Sequence, residues 1–408
     1  MLPAERKISR PEFIALIAGL MALNALAIDV MLPALPAMGE ALKVAHENER
    51  QYVLTSYLVG FGIAQLFFGP ISDRFGRRPP LMIGLVIYIA AAALAVLAPN
   101  FFTLLVLRFI QGVGAAATRV VGQSAVRDRF EGRAMAEVMS LIFMVFMAIP
   151  VIAPSIGQLL LFSGHWQWIF LFMAALATAI AAWAYFRLGE SLTEERRRPL
   201  HPHVIAEGFA LVFSNRSALF YGVSSIFVMG ALFGFIGTAQ QIYVDIYGLG
   251  AWFPIAFACV AGLMAVSSFL NSRIVGRYGM RRVTHSALVT FATLSGVWLF
   301  LAMNDMLPFP AFMAIFAMTM FSFGMVGSNT QALAMEPLGA VAGTASSVFG
   351  FLQTAGGAAI GAWIGSQYDG TVVPTAAGFF ILALVGIGCV LIAERGKLFG
   401  VSAQYQKK

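Results

Sequence analysis

Long apolar stretches alternate with short polar loops over the whole length of the chain. Each apolar stretch is close to the roughly 20 residues that a helix needs to cross the hydrocarbon core of a bilayer. The pattern predicts an all-α membrane protein with twelve membrane-spanning helices, here called spans 1 to 12. They lie near residues 13–32, 51–71, 80–98, 101–126, 134–162, 166–186, 217–242, 251–271, 283–303, 308–333, 342–367 and 372–393.

One polar loop is longer than the others and divides the spans into two sets of six. It contains the charged run Glu194–Arg198. We expect an N-terminal six-helix bundle over residues 1–190 and a C-terminal six-helix bundle over residues 216–408. The linker between them, residues 191–215, is expected to be partly an amphipathic surface helix.

The composition agrees with a membrane protein. Of the 408 residues, 60% are hydrophobic and 11% are charged, whereas a soluble domain has about 25% charged residues. Cys259 and Cys389 both lie in apolar stretches, which indicates buried apolar side chains and no disulfide or metal site. No Walker loop, metal-ligand spacing or serine-hydrolase motif occurs. We therefore expect no enzyme activity, no cofactor and no metal, and transport driven by a proton gradient.

The basic residues predict the orientation in the membrane. Of the Arg and Lys residues in loops and termini, 22 fall on one side of the spans and two, Lys43 and Arg50, on the other. Because cytoplasmic loops carry the excess of Arg and Lys, both termini and the long linker are expected in the cytoplasm. The net charge of +7 is spread over separate loops, so we expect no nucleic-acid partner.

Span 1 carries a carboxylate, Asp29, close to Pro33. A charged residue at the centre of a bilayer costs about 2.5–3.5 kcal/mol on the insertion scale, and such residues usually serve a function. We expect Asp29 to bind and release a proton or a cation in a transporter. Two structural explanations stay open: Asp29 caps a helix broken at Pro33, or it pairs permanently with an arginine.

Span 4 carries two arginines on one face. Arg108 and Arg119 are eleven residues apart, which places them within about 20° of each other around a helix. Gly112 and Ala115 lie between them on that face. A strip of small residues with a cation at each end suits the wall of a substrate cavity, although Arg119 also lies where it can simply extend to the membrane surface.

The loop after span 2 combines glycines, acids and arginines. Its arginines are expected to pair with acids at nearby helix ends, such as Asp128 or Glu131, and to act as a latch at the cytoplasmic side. A simple topology-setting role is the alternative. The predicted gate residues are Gly69, Asp73, Arg74, Gly76, Arg77, Arg78 and Asp128.

The loop after span 8 repeats part of this pattern. Arg277-Tyr-Gly279 aligns with Arg74-Phe-Gly76, although Gly276 stands where the first copy has its acid. A repeated six-span unit predicts two bundles with a substrate site near the middle of the membrane.

Several stretches resemble motifs of the major facilitator superfamily. The loop Gly69–Arg78 is similar to the signature between spans 2 and 3, residues 104–116 to the span-4 motif, and residues 148–157 to the span-5 motif of the antiporter branch. Asp29–Pro36, with residues 126–128, is similar to the Bcr/CflA-type drug–proton antiporters. The resemblance implies two bundles related by a pseudo-two-fold axis in a bacterial inner membrane, and we expect a monomer.

The resemblance also implies that spans 1 and 4 line one central cavity. Asp29 and Arg108 lie about 10 Å and 12 Å from the outer ends of their spans, at the rise of a helix. We expect these two side chains to approach each other directly, through Gln111 or through water, and to form the proton-coupling pair.

Span 5 contains Pro150, Pro154 and Gly157. The prolines interrupt the backbone hydrogen bonds and bend the helix, and the glycine permits close packing. In the antiporter branch this motif implies a bend that seals the periplasmic end. An ordinary proline kink, tolerated because neighbouring helices satisfy the freed groups, is the alternative.

The sequence thus predicts a proton-coupled exporter of lipophilic, drug-like compounds. A transporter for one polar metabolite is the first alternative and a membrane receptor that does not transport is the second. A polar substrate would need several convergent polar groups, and the candidate cavity residues that supply them are Asn24, Tyr57, Gln111, Gln241 and Gln353.

Overall fold

The computed structural model describes residues 8–130, 132–197 and 210–399. Within these ranges, eleven helices are long and apolar enough to cross a membrane. A twelfth helix, Gly132–Leu161, includes the shorter apolar stretch Ala148–Leu161 among its described residues. The twelve predicted spans are therefore all helical, and the chain is a multi-pass membrane protein of the all-α class.

The first half contains six long helices. Between α1 and α2 the chain also forms the short helix Leu35–Ala41. Helix starts agree with local sequence, because Ser9 and Asn100 accept hydrogen bonds from the first turns of α1 and α4. The helices are α1 Arg10–Asp29, α2 Tyr52–Phe75, α3 Arg78–Ala95, α4 Phe101–Arg129, α5 Gly132–Leu161 and α6 Gln167–Arg187.

The second half repeats this arrangement with two π-helical turns. One, Gln241–Ile246, extends α7, and the other, Leu352–Gly356, lies inside α11 between Ala342–Phe351 and Gly357–Ser366. The remaining helices are α7 Arg216–Gln240, α8 Phe253–Tyr278, α9 Met280–Met303, α10 Phe309–Met335 and α12 Val373–Ala393.

The chain divides into two compact units, Met1–Pro202 and His203–Lys408. Each unit uses the same packing scheme. The first helix of the unit packs on the fifth, the second on the fourth, and the third on the fourth and sixth. The internal repeat seen in the loops therefore extends to the helix packing of each half.

Small residues bring α2 and α4 into close contact in the first half. A Cβ atom at Gly112 would collide with the carbonyl oxygen of Tyr57, and one at Gly60 would collide with the carbonyl oxygen of Phe109. Helices in membranes pack closely where small residues face each other. This contact sets the distance between α4 and the aromatic side chains of α2.

Candidate functional site

The end of α1 is built around a break in its hydrogen bonding. Pro33 has no N–H to offer to the carbonyl of Asp29, four residues earlier. Just before this point the N–H of Met31 bonds to Ile28 and not to Ala27. The carbonyl of Ala27 is thereby left to accept a hydrogen bond from outside the helix.

Arg108 of α4 makes that bond. Its Nη2 donates to the carbonyl of Ala27 at 2.8 Å, its Nε to the carbonyl of Val53 at 3.1 Å, and its Nη1 to Oε1 of Gln111 at 2.7 Å. The guanidinium also lies 4.5 Å from the ring centroid of Tyr57, a favourable cation–π contact. Arg108 is fully buried, and it joins the ends of α1 and α2 to α4.

Asp29, the last residue of α1, is 4% exposed. In the part of the chain that the structure describes, its carboxylate has no hydrogen-bond or ion-pair partner. Arg108 does not contact it and instead holds Ala27, two residues earlier. Among the described residues, Asp29 forms neither the expected direct pair with Arg108, nor a cap of the broken helix, nor a pair with another arginine; an approach through Gln111 or water stays a prediction.

A hydrogen-bonded network lies one to two turns before Asp29. Asn24 donates to Oγ1 of Thr118 at 2.9 Å and accepts from the hydroxyl of Tyr57 at 3.3 Å. Thr118 in turn donates to the carbonyl of Ala115 at 2.8 Å. These buried side chains connect α1, α2 and α4, so the predicted cavity residues Asn24 and Tyr57 are bound to each other.

The two arginines of α4 enclose two stacked rings of α2. The rings of Tyr57 and Phe61 are stacked at 6.2 Å, and Arg119 lies 5.9 Å from the Phe61 ring, as Arg108 lies over Tyr57. The predicted common face of α4 is confirmed. Between the arginines, Gly112 and Ala115 are buried, and α2 fills the space in front of Gly112.

Helix α5 packs on the break in α1. A Cβ atom at Gly157 would collide with the carbonyl oxygen of Val30 and lie 2.9 Å from Cγ of Pro33. Pro150 and Pro154 are both inside the helix. The span-5 motif therefore lies against the residues that directly follow Asp29.

The predicted contact between Arg77 and Asp128 is present at the other end of the first half. Arg77 is 3% exposed and donates to Asp128 at 2.8 Å, Asp73 at 2.5 Å and Ser72 at 2.9 Å. Burial lowers the pKa of Arg77, but the hydrogen bonds to Asp128 and Asp73 outweigh it, so the pKa lies above the ordinary arginine value. We call these residues, with Glu190, the first-half cluster.

Glu190 is a cluster residue that the sequence reasoning missed. Its carboxylate accepts from the backbone N–H of Arg77 at 2.8 Å and of Arg78 at 3.1 Å. Gly76 has a φ of +90°, and a Cβ there would lie 2.5 Å from Glu190 Oε2. The only sequence signal was an acid placed shortly after span 6 on the same side as the loop.

The other gate residues have lesser contacts. Arg78 donates to the carbonyl of Tyr185 at 2.6 Å. The carbonyl of Gly69 accepts from Ser72 at 2.9 Å, and Arg74 is exposed. Glu131, the other acid considered as a partner, lies outside the described residues.

A family model decides how this architecture is classified. The model described as "Major Facilitator Superfamily" matches residues 17–362, which is most of the chain. The chain belongs to the major facilitator superfamily. The resemblance first seen in the loop after span 2 is thereby confirmed.

The chain is similar to proteins named for drug resistance and, in fold, to a solved transporter. The chain is 33% identical to a bicyclomycin resistance protein homolog of Haemophilus influenzae, over 85% of this chain and 87% of the relative. It is 29% identical to the multidrug resistance protein MdtL of Klebsiella pneumoniae, over 81% and 82%. The crystal structure of the POT family transporter PepTSo has the same fold, with a TM-score of 0.73 at 15% identity, over 95% of this chain and 99% of that one.

The second half of this superfamily member has its own cluster at the matching end. Arg281 donates to Glu394 at 2.8 Å and to Glu336 at 2.9 Å, and Gly279 has a φ of +81°, like Gly76. The repeated arginine motif was visible in the sequence, but the two acids were not predicted. We call these residues the second-half cluster, and we call the end of each half that carries its cluster the arginine-rich end.

The remaining predicted cavity residues lie in the two π-helical turns of the second half. Gln353 donates to Oγ of Ser225 at 2.9 Å, which joins α11 to α7. Gln241 is buried in the turn that extends α7. Within the described residues, no group of His, Cys, Asp or Glu side chains forms a candidate metal site.

Proposed function

We propose that the protein is a proton-coupled exporter of hydrophobic, drug-like compounds, in which Asp29 gains and loses the coupled proton. One observation carries the proposal: a carboxylate buried in a membrane-spanning helix has no partner among the described residues. A charge in that position is unfavourable unless a proton or a cation neutralises it. Asp29 therefore has a reason to bind either one.

The contacts around Asp29 support a role in coupling. Arg108 is held by two backbone carbonyls and Gln111, so it positions the end of α1 and leaves the Asp29 carboxylate available. In the cycle we propose, deprotonated Asp29 binds substrate from the cytoplasmic side. Protonation from the periplasmic side removes the charge, releases the substrate and favours return.

The end of α1 also offers a route by which protonation can change packing. Arg108 ties Ala27 to α4, and Gly157 of α5 contacts Val30 directly after Asp29. A shift of residues 27–33 on protonation would therefore act on α4 and α5 together. We propose this segment as the element that responds to the proton.

Two observations favour lipophilic substrates over one polar metabolite. Most of the candidate polar side chains already pair inside the chain: Asn24 with Thr118, Tyr57 with Asn24, Gln111 with Arg108, and Gln353 with Ser225. In addition, the Haemophilus and Klebsiella relatives are named for resistance to bicyclomycin and to multiple drugs.

We propose a location in the inner membrane with both termini in the cytoplasm. The support is the distribution of Arg and Lys, 22 on one side against two on the other. Labelling of single cysteines in intact cells tests it. A cysteine at Arg74 should be protected from an impermeant maleimide and one at Lys43 should react, in a chain with both native cysteines, Cys259 and Cys389, replaced by serine. The reverse pattern contradicts the orientation.

Efflux from proteoliposomes tests the function. Wild-type protein should export ethidium and bicyclomycin when a pH gradient is imposed, and Asp29→Asn should abolish gradient-driven efflux. Asp305→Asn is the matched control, because Asp305 is exposed and has a φ of +55° that asparagine tolerates. Gradient-driven efflux by Asp29→Asn at the wild-type rate would contradict the role of Asp29.

A ligand screen separates this function from its alternatives. Binding of many lipophilic compounds of different shape supports the exporter. One tight polar ligand with no lipophilic binding would favour the metabolite transporter. Absence of counterflow for every ligand that binds would favour the receptor.

A further inference from the structure

The second-half cluster is extended by a buried histidine that the proposed transport cycle does not use. His285 lies in the second turn of α9 and is 1% exposed. Its Nδ1 accepts a hydrogen bond from the backbone N–H of Phe399 at 2.9 Å, and its Nε2 is 2.9 Å from the hydroxyl of Tyr221 on α7. Both ring nitrogens are thus engaged, one of them by the chain segment that follows α12.

The direction of these hydrogen bonds follows from the backbone donor. Because an N–H can only donate, Nδ1 of His285 carries a lone pair, and the neutral ring has its proton on Nε2. Nε2 then donates to Tyr221, and the hydroxyl of Tyr221 donates to Glu394 at 2.8 Å. Glu394 also accepts from Arg281. With this tautomer, the hydrogen bonds form one chain in which each group donates to the next, from the N–H of Phe399 through His285 and Tyr221 to Glu394 of the second-half cluster.

We propose that His285 and the segment Glu394–Phe399 form a pH-sensitive clasp at the arginine-rich end of the second half. In the neutral state the imidazole holds the segment through Nδ1. A second proton on the ring places an N–H opposite the N–H of Phe399, and two donors cannot bond to each other. Acidification therefore releases the Phe399 end of the segment from α9, while Glu394 stays bonded to Arg281.

The packing of the ring supports a clasp with a defined geometry. The ring of Phe399 meets the imidazole edge to face with centroids 5.8 Å apart, and the ring of Tyr221 is nearly parallel to the imidazole with centroids 6.4 Å apart. Arg216 donates to the carbonyl of Ala393 at 3.3 Å, which anchors the start of the segment to α7. Tyr221 and Arg281 also hold Glu394, so the imidazole is the attachment point at the far, Phe399 end of the segment.

Titratable and charged groups on every neighbouring element surround the clasp. Tyr221 is the titratable group in direct contact. These groups are Tyr221 and Arg216 on α7, Arg281 on α9, Glu336 after α10 and Glu394 after α12.

Hydrogen exchange of the full-length protein in nanodiscs tests the clasp between about pH 8 and pH 5.5. After correction for the intrinsic pH dependence of exchange, the Phe399 amide should exchange about tenfold faster for each unit that the pH falls toward the titration of His285, and the rate should level off below it. A corrected rate that does not change with pH would overturn the proposal.

Two variants sharpen the test. In His285→Asn, the side-chain oxygen occupies the Nδ1 position and cannot titrate, so protection of Phe399 should persist at every pH. In His285→Ala the amide should be unprotected already at pH 8. The same pH dependence in His285→Asn as in the wild type would assign the release to another group.

A measurement on His285 itself keeps the proposal testable if a variant fails to fold. The side-chain ¹⁵N spectrum can be recorded on a chain whose other histidines, His46, His165, His201 and His203, are replaced by glutamine. At pH 8 the proposal requires an unprotonated Nδ1 and a protonated Nε2. The opposite tautomer would contradict it. Neither readout involves transport, so failure here leaves the proposed export function to its own tests.

Discussion

The two halves share one scaffold but differ in what their membrane-embedded centres contain. The first half places Asp29, Arg108 and Arg119 inside its helices, whereas the second half, in its described residues, pairs neutral side chains there. Asn271 of α8 and Asn329 of α10 exchange two hydrogen bonds at 3.0 and 2.8 Å. The comparison indicates that the repeat supplies the packing and that one copy carries the charge chemistry.

The fifth helix of each half shows the same division. Gly157 brings α5 against Val30, and Gly361 brings α11 against Phe233 and Gly234 of α7. Before its glycine, α5 has two prolines, and α11 has the π-helical turn Leu352–Gly356. Both devices interrupt the regular α-helical hydrogen bonds. Both halves therefore have a helix with interrupted hydrogen bonding at this position, but only the first half has a carboxylate, Asp29, close to it among the described residues.

Removing the arginine of each cluster should give the largest difference between the halves. Arg77→Ala removes a buried cation from the half-buried carboxylate of Asp128, whose side chain is 10% exposed, and should cost about 3–5 kcal/mol. The side chain of Arg281 is 20% exposed, so Arg281→Ala should cost only about 1 kcal/mol. Unfolding of both variants in one detergent measures this. Equal losses would contradict the comparison.

The effect of Arg77 should not depend on pH in the neutral range. The pKa of Arg77 is raised in the folded state, so its stabilisation is fully present below the ordinary arginine pKa and is lost only at higher pH. Unfolding at two neutral pH values checks this.

Removing the hydrogen bonds of Arg108 to the end of α1 should give the next largest loss of stability. Arg108→Lys keeps the charge but loses the fork that reaches Ala27, Val53 and Gln111, at about 2–3 kcal/mol and with a loss of transport. Gln353→Ala is the second-half control, since it removes one bond to Ser225 and should cost about 1 kcal/mol. Normal coupled transport by Arg108→Lys would contradict the positioning role.

Double-mutant cycles compare the neutral pairs of the two halves. For Asn271 with Asn329, and for Asn24 with Thr118, the coupling energy should be about 0.6–1.7 kcal/mol. Transport should fall only in the Asn24 and Thr118 variants, because Asn24 lies on α1 just before residues 27–33, the segment proposed to respond to the proton. Loss of transport on replacing Asn271 and Asn329 by alanine would show that the second half carries more than packing.

Removing one ring of the stacked pair should have the smallest effect. Phe61→Leu loses the cation–π contact with Arg119, at about 0.5–1 kcal/mol, and transport should remain. Tyr57→Phe is the matched change on the adjacent ring, and it also removes the hydrogen bond to Asn24. A larger effect of Phe61→Leu on transport than of Tyr57→Phe would assign Arg119 a direct role.

The sequence predicts the helices and one cluster contact well, and physical reasons explain what it misses. Apolar periodicity identifies all twelve spans, and opposite charges at helix ends identify Arg77 with Asp128. The sequence does not identify the other acids of the clusters, Glu190, Glu336 and Glu394. They lie in connections or just after helices, where helical periodicity does not indicate which side chains come together.

The surroundings of Asp29 show a different limit. Depth and charge suggested Arg108 as its partner, but Arg108 bonds to the carbonyls of Ala27 and Val53. A backbone carbonyl that accepts a side-chain hydrogen bond cannot be recognised from the residue type. The carbonyl of Ala27 is free for Arg108 because the N–H of Met31 bonds to Ile28. Likewise, Gly112 marks a close contact with α2 that the pattern of small residues alone cannot distinguish from a cavity wall.

Proton release on substrate binding tests the central claim most directly. Purified protein in weakly buffered detergent solution, mixed with ethidium or bicyclomycin, should release protons in the wild type and in Asp305→Asn. Asp29→Asn has the neutral side chain of the protonated state, so it should bind the same compounds more weakly and release no protons even at saturating concentrations. Proton release of wild-type size from Asp29→Asn would mean that the unpartnered carboxylate at the end of α1 is not the coupling group.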